Sequence, residues 1–435
     1  MKRFIFPMVI ILFILLVVLF VVGCVKKPSE KPKEDKITVK EEYSGKIENP
    51  FIMAFVTSKK SFSLSQKKFI AEHYKYFEFG QVYKFTPKKK EISAYKKVNP
   101  DMKILVYHSL VEIKDYDPKL NDIEQHEDWF LHCENDLSKK VIFKPGVFNN
   151  YLADIGNPEY RKFWIERTRK VIEKSGYDGV FIDVASSKLT PSQVSCKPKS
   201  YSDEKWADMV YDFLREIKKA FPDKIVIFNG IRPDLSKYGD RYIGFEKLEV
   251  TDGGVTELFE SNYNSRFLGK ELWKKMMNNY IKYTKQGKII AVLCWHWSKN
   301  TDKRLFCDAA YLLIRTPNLA YSVGALGESD KIMYPPELSV PLGKPVSPTK
   351  DNVDEYYDKS SGLYVRKYTN GLVLLNIDDK TSKKYLLREE MYLVVPKGEI
   401  YVGLTGEAGG SVEYMPVNEV IVKPLSGAIL IKKKA

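Results

Sequence analysis

The chain has 435 residues, of which 44% are hydrophobic, 13% aromatic and 29% charged. That is the composition of a globular protein long enough for more than one domain, and it excludes a disordered chain, a collagen and a disulfide-rich miniprotein. Lys and Arg number 70 against 56 Asp and Glu, a formal charge of +14. The lysines are dispersed and no zinc-finger or RNP-type motif accompanies them, so the excess reads as a solvated basic surface and no nucleic-acid partner is expected.

Lys2 and Arg3 precede an apolar run from Phe4 to Val22, 19 residues broken only by Pro7. A positive n-region before such a run marks a targeting segment. Val21-Val22-Gly23-Cys24 resembles the bacterial lipobox, whose cysteine is lipidated and becomes the new N-terminus. The expected partition is therefore residues 1–24 as a lipoprotein signal peptide and 25–49 as a flexible tether rich in Lys, Glu and Pro. Lipidation at Cys24 would hold the body to a membrane outside the cytoplasm; an uncleaved anchor helix would leave it on the same side. The remaining cysteines, Cys133, Cys196, Cys294 and Cys307, lack the paired spacing of a zinc site, so no metal is expected. Cys133 and Cys196 fall in loops and can pair in an oxidising compartment. Cys294 sits in a strand pattern and reads as a small core residue.

From Pro50 onward eight short apolar runs alternate with helical patterns: Phe51–Val56, Phe77–Phe85, Ile104–Leu110, Gly179–Ala185, Ile225–Ile231, Val255–Ser261, Ile289–Trp297 and Leu319–Ala325. Asn157-Pro158 has the form of an N-cap followed by proline at the first helical position, and Gly176 stops that helix. Ser202 caps a second helix carrying Trp206, Val210, Phe213, Leu214 and Ile217 on one face. A third runs from about Lys270 to Gln286. Repeated strand–helix alternation over residues 50–340 predicts an α/β fold of the (β/α)8 TIM-barrel class. The doubly wound rival lacks a GxGxxG or P-loop. Beyond about Pro341, in residues 341–435, short strands separated by Gly, Pro, Asn and Asp predict a C-terminal all-β sandwich, with Asn370-Gly371 as a hairpin turn.

In such a barrel the chemistry sits where strands end. The fourth run, Gly179-Val180-Phe181-Ile182-Asp183, ends in a carboxylate, which is costly in a core unless it is used or partnered. The sixth offers Glu257 and Glu260, which point to opposite faces of an extended strand, so that one alone can face the mouth. Because both faces of such a strand are buried, the apolar pattern leaves Glu257 and Glu260 both open as the partner acid. The third run ends in Tyr107-His108, the fifth in Asn229 and the seventh in Trp295-His296-Trp297, aromatic and polar groups suited to binding sugar. An Asp and a Glu ringed by such groups are what glycoside hydrolysis uses, without a cofactor. HExxH and GxSxG are absent, which argues against zinc and serine hydrolases.

Asn157-Pro158-Glu159-Tyr160-Arg161, followed by Tyr177-Asp178-Gly179-Val180-Phe181-Ile182-Asp183, resembles the glycoside-hydrolase-like barrels related to the α-1,4-polygalactosaminidases. Asp252-Gly253 leading to Glu257 is similar to their sixth-strand pattern, and this resemblance implies Glu257 as the partner acid, with Glu260 the alternate. Leu342-Gly343-Lys344-Pro345 and Asn370-Gly371-Leu372-Val373 resemble the β-domain that follows them. The departure is at Ala185-Ser186, where these families often carry another Asn or Asp. The resemblance implies a carbohydrate polymer as substrate and Asp183 as the essential carboxylate. A lipid-anchored, non-catalytic carbohydrate-binding or envelope scaffold protein is the alternative from another class.

Overall fold

The computed structural model describes residues 53–56, 62–83, 86–147, 149–232, 244–261, 266–295, 299–324 and 331–432. From Gly45 onward the chain forms one compact unit. The apolar run at Phe4–Val22 and the lipidation candidate Cys24 lie outside the described residues. Among those described, no helix is long and apolar enough to cross a membrane.

All eight expected runs contain a strand: β1 (Met53–Val56), β2 (Tyr76–Gln81), β3 (Lys103–Ser109), β4 (Gly179–Asp183), β5 (Ile225–Asn229), β6 (Gly253–Thr256), β7 (Ile289–Cys294) and β8 (Leu319–Val323). They pair in chain order as a single parallel sheet. Its strands are joined by α1 (Leu64–His73), α2 (Lys89–Val98), α3 (Pro158–Ser175), α4 (Asp203–Ala220), α5 (Lys270–Lys285) and α6 (Thr301–Ile314). The connection from β5 to β6 carries only the 3-10 turn Phe245–Glu249 among its described residues.

Helix ends follow their sequence signals. The Asn157 side chain accepts from the N–H groups of Glu159 and Tyr160, and Gly176 closes α3 at φ +79°. A polar cap of this kind is worth ~1 kcal/mol. Ser202 caps α4 by accepting from Lys205 N–H.

The sheet curls. Tyr76, Leu105, Phe181, Ile227, Val255, Ala291, Leu293 and Ala320, drawn from β2 through β8, form one buried cluster. Side chains from such distant strands meet only if their common face is concave. The opposite face, with Ile104, Val106, Val180, Ile182, Val226, Phe228, Ile290 and Val292, packs against the helices in the main core. Both faces are thus apolar, as parallel strands require.

The C-terminal region differs from the expected sandwich. It is one antiparallel sheet of β9 (Tyr357–Asp358), β10 (Leu363–Tyr368), β11 (Gly371–Asn376), β12 (Lys383–Val402), β13 (Ala408–Val422) and β14 (Ser426–Ile431), in the order β9-β10-β11-β14-β12-β13. Where short strands were expected, residues 383–422 form two long ones, β12 and β13. Their pairing slips between Leu386 and Met391 and between Gly398 and Val402, irregularities that let a long hairpin bend without ending its strands. Alternation still holds. Val373, Leu375, Ile429 and Ile431 face the main core, whereas Leu372, Leu374, Ala428 and Leu430 join a second cluster with Met391, Val420 and Val422 of the long hairpin.

α6 carries the sheet. A Cβ on Gly427 would stand 2.3 Å from the Leu305 carbonyl and from the Ala309 methyl, so only glycine lets β14 lie this close to the helix. The Arg366 guanidinium reaches from β10 to the terminal carbonyls of α6, donating to Leu312 and Leu313, each at 3.0 Å, and to Arg315 at 3.1 Å. These are the acceptors that a helix leaves unpaired at its C-terminus.

Candidate active site

Register places the functional side chains. β3 and β4 align Tyr107 with Phe181 and Ser109 with Asp183, β4 and β5 align Phe181 with Ile227, and β5 and β6 align Asn229 with Val255. Neighbours across a parallel ladder share a face, so Tyr107, Asp183, Asn229 and, two residues past Val255, Glu257 all stand on the concave side at the strand ends. Each is half-buried.

Their hydrogen bonds form one chain. Tyr107 donates its hydroxyl to Asp183 Oδ2 at 2.7 Å. The Asn229 amide donates to Asp183 Oδ1 at 2.9 Å and to Glu257 Oε1 at 2.8 Å. Enclosure pushes the Glu257 carboxyl above its usual range, and the neighbouring Asp183 adds to this, against the Asn229 hydrogen bond and the charges of Lys144 and Arg232. Above the group opens a cleft of about 740 Å³, bordered by Asp183, Asn229, Glu257, Lys144, Arg232 and the hydroxyls of Ser186, Thr190 and Ser192, with Leu258, Phe267 and Leu272 on an apolar side.

One wall of this cleft comes from a long excursion after β3, which the sequence patterning did not reveal. Residues 112–152 build a three-stranded sheet and a short hairpin. The loop after β4 packs on them: Lys144 N–H donates to the Gln193 carbonyl at 2.7 Å, and Cys133 is bonded to Cys196. The loop pairing anticipated for these cysteines is therefore present.

Three expectations are corrected. His108 is not in the cleft. It alternates with Tyr107, so it points outward to α3, stacks on Trp164 at 4.1 Å and meets Thr168 Oγ1 at 2.7 Å through Nδ1. Burial holds its pKa well below the ordinary value. Glu260 is also elsewhere. β6 ends at Thr256, and Glu260 turns into a buried wall behind β7, beside Cys294 and Cys307, 1% exposed, where burial raises its carboxyl to about 8. Cys294 is buried but is not a lone core thiol: it is bonded to Cys307 of α6, the helix that crosses over the end of β7. Trp295 packs against the concave cluster beside Gly324; His296 and Trp297 lie outside the described residues.

The same wall holds further acids. Asp308 and Glu337 are fully buried; Arg304 donates to Glu337 at 2.7 Å and Tyr321 to Asp308 at 2.7 Å. Burial first and Glu337 second push Asp308 well up. Sequence reasoning also missed Glu78. It shares the concave face of β2 with Tyr76, is fully buried, and neither of its oxygens has a hydrogen-bond partner among the described residues. Burial, then the charge of Asp183, holds its carboxyl well above the usual range. The available signal was an acid amid the apolar residues of Tyr76-Phe77-Glu78-Phe79.

Residues 96–372 match the model of a family described as hypothetical glycosyl hydrolase family 15. The chain belongs to this family. The match spans β3 to β8, the cleft, and the sheet as far as the start of β11. No curated protein matches the chain. Among solved structures, the glycoside hydrolase domain of PelA from Pseudomonas aeruginosa aligns with 15% identity and a TM-score of 0.45, covering 65% of this chain and 97% of that one. An Anoxybacillus alpha-amylase aligns with 12% identity and a TM-score of 0.45, covering 88% and 98%.

Proposed function

We propose that this member of the family is a glycosidase whose reacting groups are Asp183 and Glu257, set at the ends of the fourth and sixth strands of a (β/α)8 barrel. The observation that carries the reading is the Asn229 amide, whose two N–H groups each hold one carboxylate at the floor of a cleft. With legs of 2.9 and 2.8 Å from a shared nitrogen, the two bonded oxygens are at most about 5.7 Å apart. Carboxyl pairs spaced by roughly 5–5.5 Å work with retention of configuration, and those at roughly 6.5–9.5 Å with inversion. The spacing supports retention.

In that mechanism Glu257, its proton retained by enclosure and by Asp183, gives it to the glycosidic oxygen as the bond to the anomeric carbon breaks. Asp183 attacks the anomeric carbon and forms a glycosyl ester. Glu257 then takes a proton from water, which displaces Asp183 with a second inversion. Tyr107 and Asn229 orient Asp183 by occupying both of its oxygens. Cys24 would tether the enzyme to a membrane surface outside the cytoplasm, a setting in which both disulfides persist.

The test is a soluble chain starting near residue 47, assayed on a panel of polysaccharides by reducing-end release, with the anomer of the first product read by proton NMR. Release of the retained anomer is expected. The inverted anomer would overturn the assignment of Asp183 as nucleophile, and sugar binding without turnover would favour the non-catalytic scaffold.

A further inference from the structure

Behind the cleft lies a buried cation that the reaction as described does not use. Lys247, in the turn Phe245–Glu249, is completely enclosed. Its ammonium donates to the Ala185 carbonyl at 2.6 Å, to Ser187 Oγ at 2.9 Å and to the Gly230 carbonyl at 3.4 Å. Three N–H groups thus meet three acceptors. Two belong to the loop that leaves Asp183, and the third directly follows Asn229. The surroundings are shaped to this contact. A Cβ on Gly230 would stand 2.4 Å from the Ala185 carbonyl, and one on Gly244 would stand 2.4 Å from the Gly230 carbonyl and 3.1 Å from Lys247 Nζ.

Between Asp183 and Ala185 the chain passes through Val184 at φ +55°. A β-branched residue resists the left-handed region, and such a conformation persists only where the surroundings over-determine it. The β4–β5 ladder itself stops at Ile182 and Phe228. Beyond it, Ala185 N–H donates to the Asn229 carbonyl at 2.9 Å, and Lys247 holds the carbonyl of the same residue, in the next peptide.

We infer that Lys247 is a positioning residue: by clamping the loops that leave β4 and β5, it maintains the strained turn at Val184 and so sets Asp183 against Asn229 and Glu257. The inference rests on the reading of that group as the reacting centre. It gives the unusual backbone at Val184 a purpose, since a relaxed turn would swing Asp183 away from the shared amide. Misplacement by about 1 Å is enough to cost on the order of 10²-fold in rate.

The experiment compares wild type, Lys247→Met, and Lys247→Met combined with Val184→Gly, each crystallised and assayed on a polysaccharide that wild type hydrolyses. Lys247→Met is expected to lower kcat about 10²-fold with KM little changed, with Val184 at negative φ and the Asp183–Asn229 bond lost. Adding Val184→Gly, which accepts the same φ freely, is expected to regain about tenfold or more. If Lys247→Met lowers only the melting temperature and keeps kcat, or if glycine restores the melting temperature but no rate, the inference is overturned. Should Lys247→Met fail to fold, Ser187→Ala removes one acceptor and is expected to lower kcat several-fold; an unchanged kcat there is equally decisive against it. If wild type hydrolyses nothing, the glycosidase reading falls, while the crystal structures still judge the clamp by whether Val184 keeps its positive φ without Lys247.

Discussion

The mouth of the curled sheet and the wall behind β7 hold acids of the same kinds and treat them oppositely. At the mouth, Asp183 and Glu257 are half-buried, border the cleft and share the Asn229 amide. In the wall, Glu260, Asp308 and Glu337 are sealed from solvent. Glu257 and Glu260 are only three residues apart, so composition and proximity in sequence do not decide which acid faces the cleft. What separates them is the end of β6 at Thr256, which leaves one carboxyl facing the cleft and turns the other into the packing.

The sharpest way to break this contrast is Asp183→Asn. Hydrolysis should fall on the order of 10³-fold or more with little change in melting temperature, because the group sits at the cleft and not in the packed core. Full activity on a substrate turned over by wild type would remove Asp183 from the mechanism.

A comparison of Glu257→Gln with Glu260→Gln tests the two acids directly. Loss of the general acid should cost about 10²–10⁴-fold on a poor leaving group and far less on a good one, which departs without protonation. Glu257→Gln should show that selectivity and Glu260→Gln should not. The alkaline limb of the wild-type pH profile should report the raised Glu257 carboxyl, since the proposed mechanism uses its protonated form.

The wall should answer in stability instead. Arg304→Met strands the buried Glu337 carboxylate, and urea unfolding should register a loss of about 3–5 kcal/mol. Glu260→Gln should do the reverse in a pH-dependent way. The folded state holds the Glu260 proton up to about 8, whereas the unfolded chain releases it near the ordinary glutamate value. The stability this provides is complete below the unfolded value and is lost as pH rises to 8. The neutral variant escapes that loss, gaining on the order of 5 kcal/mol above pH 8 and nothing near pH 4. Equal stability of the two proteins at pH 9 would place Glu260 in contact with water.

Much of the mouth was legible in the sequence because a carboxylate ending an apolar run is expensive unless it is used, and Asp183 ends such a run. Asn229 closes β5 in the same way. His108 misled because a strand buried on both faces gives no apolar clue to which side is concave; only the register of Tyr107 on Phe181 decides it. Lys144 and Lys247 carry no local signal at all. Each acts through carbonyls or charges far away in the chain, at Gln193 and Glu257 for the first and at Ala185 and Gly230 for the second. The bond between Cys294 and Cys307 was likewise hidden, since a strand pattern does not show which helix lies across its end.

The grip of Arg366 on the last turn of α6 has a mechanical consequence. The helix that joins β7 to β8 borrows its C-terminal cap from β10, and Tyr368 adds a further donor to the Leu312 carbonyl at 2.7 Å. A fragment cut after the parallel strands would leave those carbonyls bare and uncover the apolar side of α6. The two sheets therefore melt together, and calorimetry should show one cooperative transition with equal calorimetric and van't Hoff enthalpies. For anyone grafting this cleft onto other proteins, the smallest transplantable piece includes the antiparallel sheet.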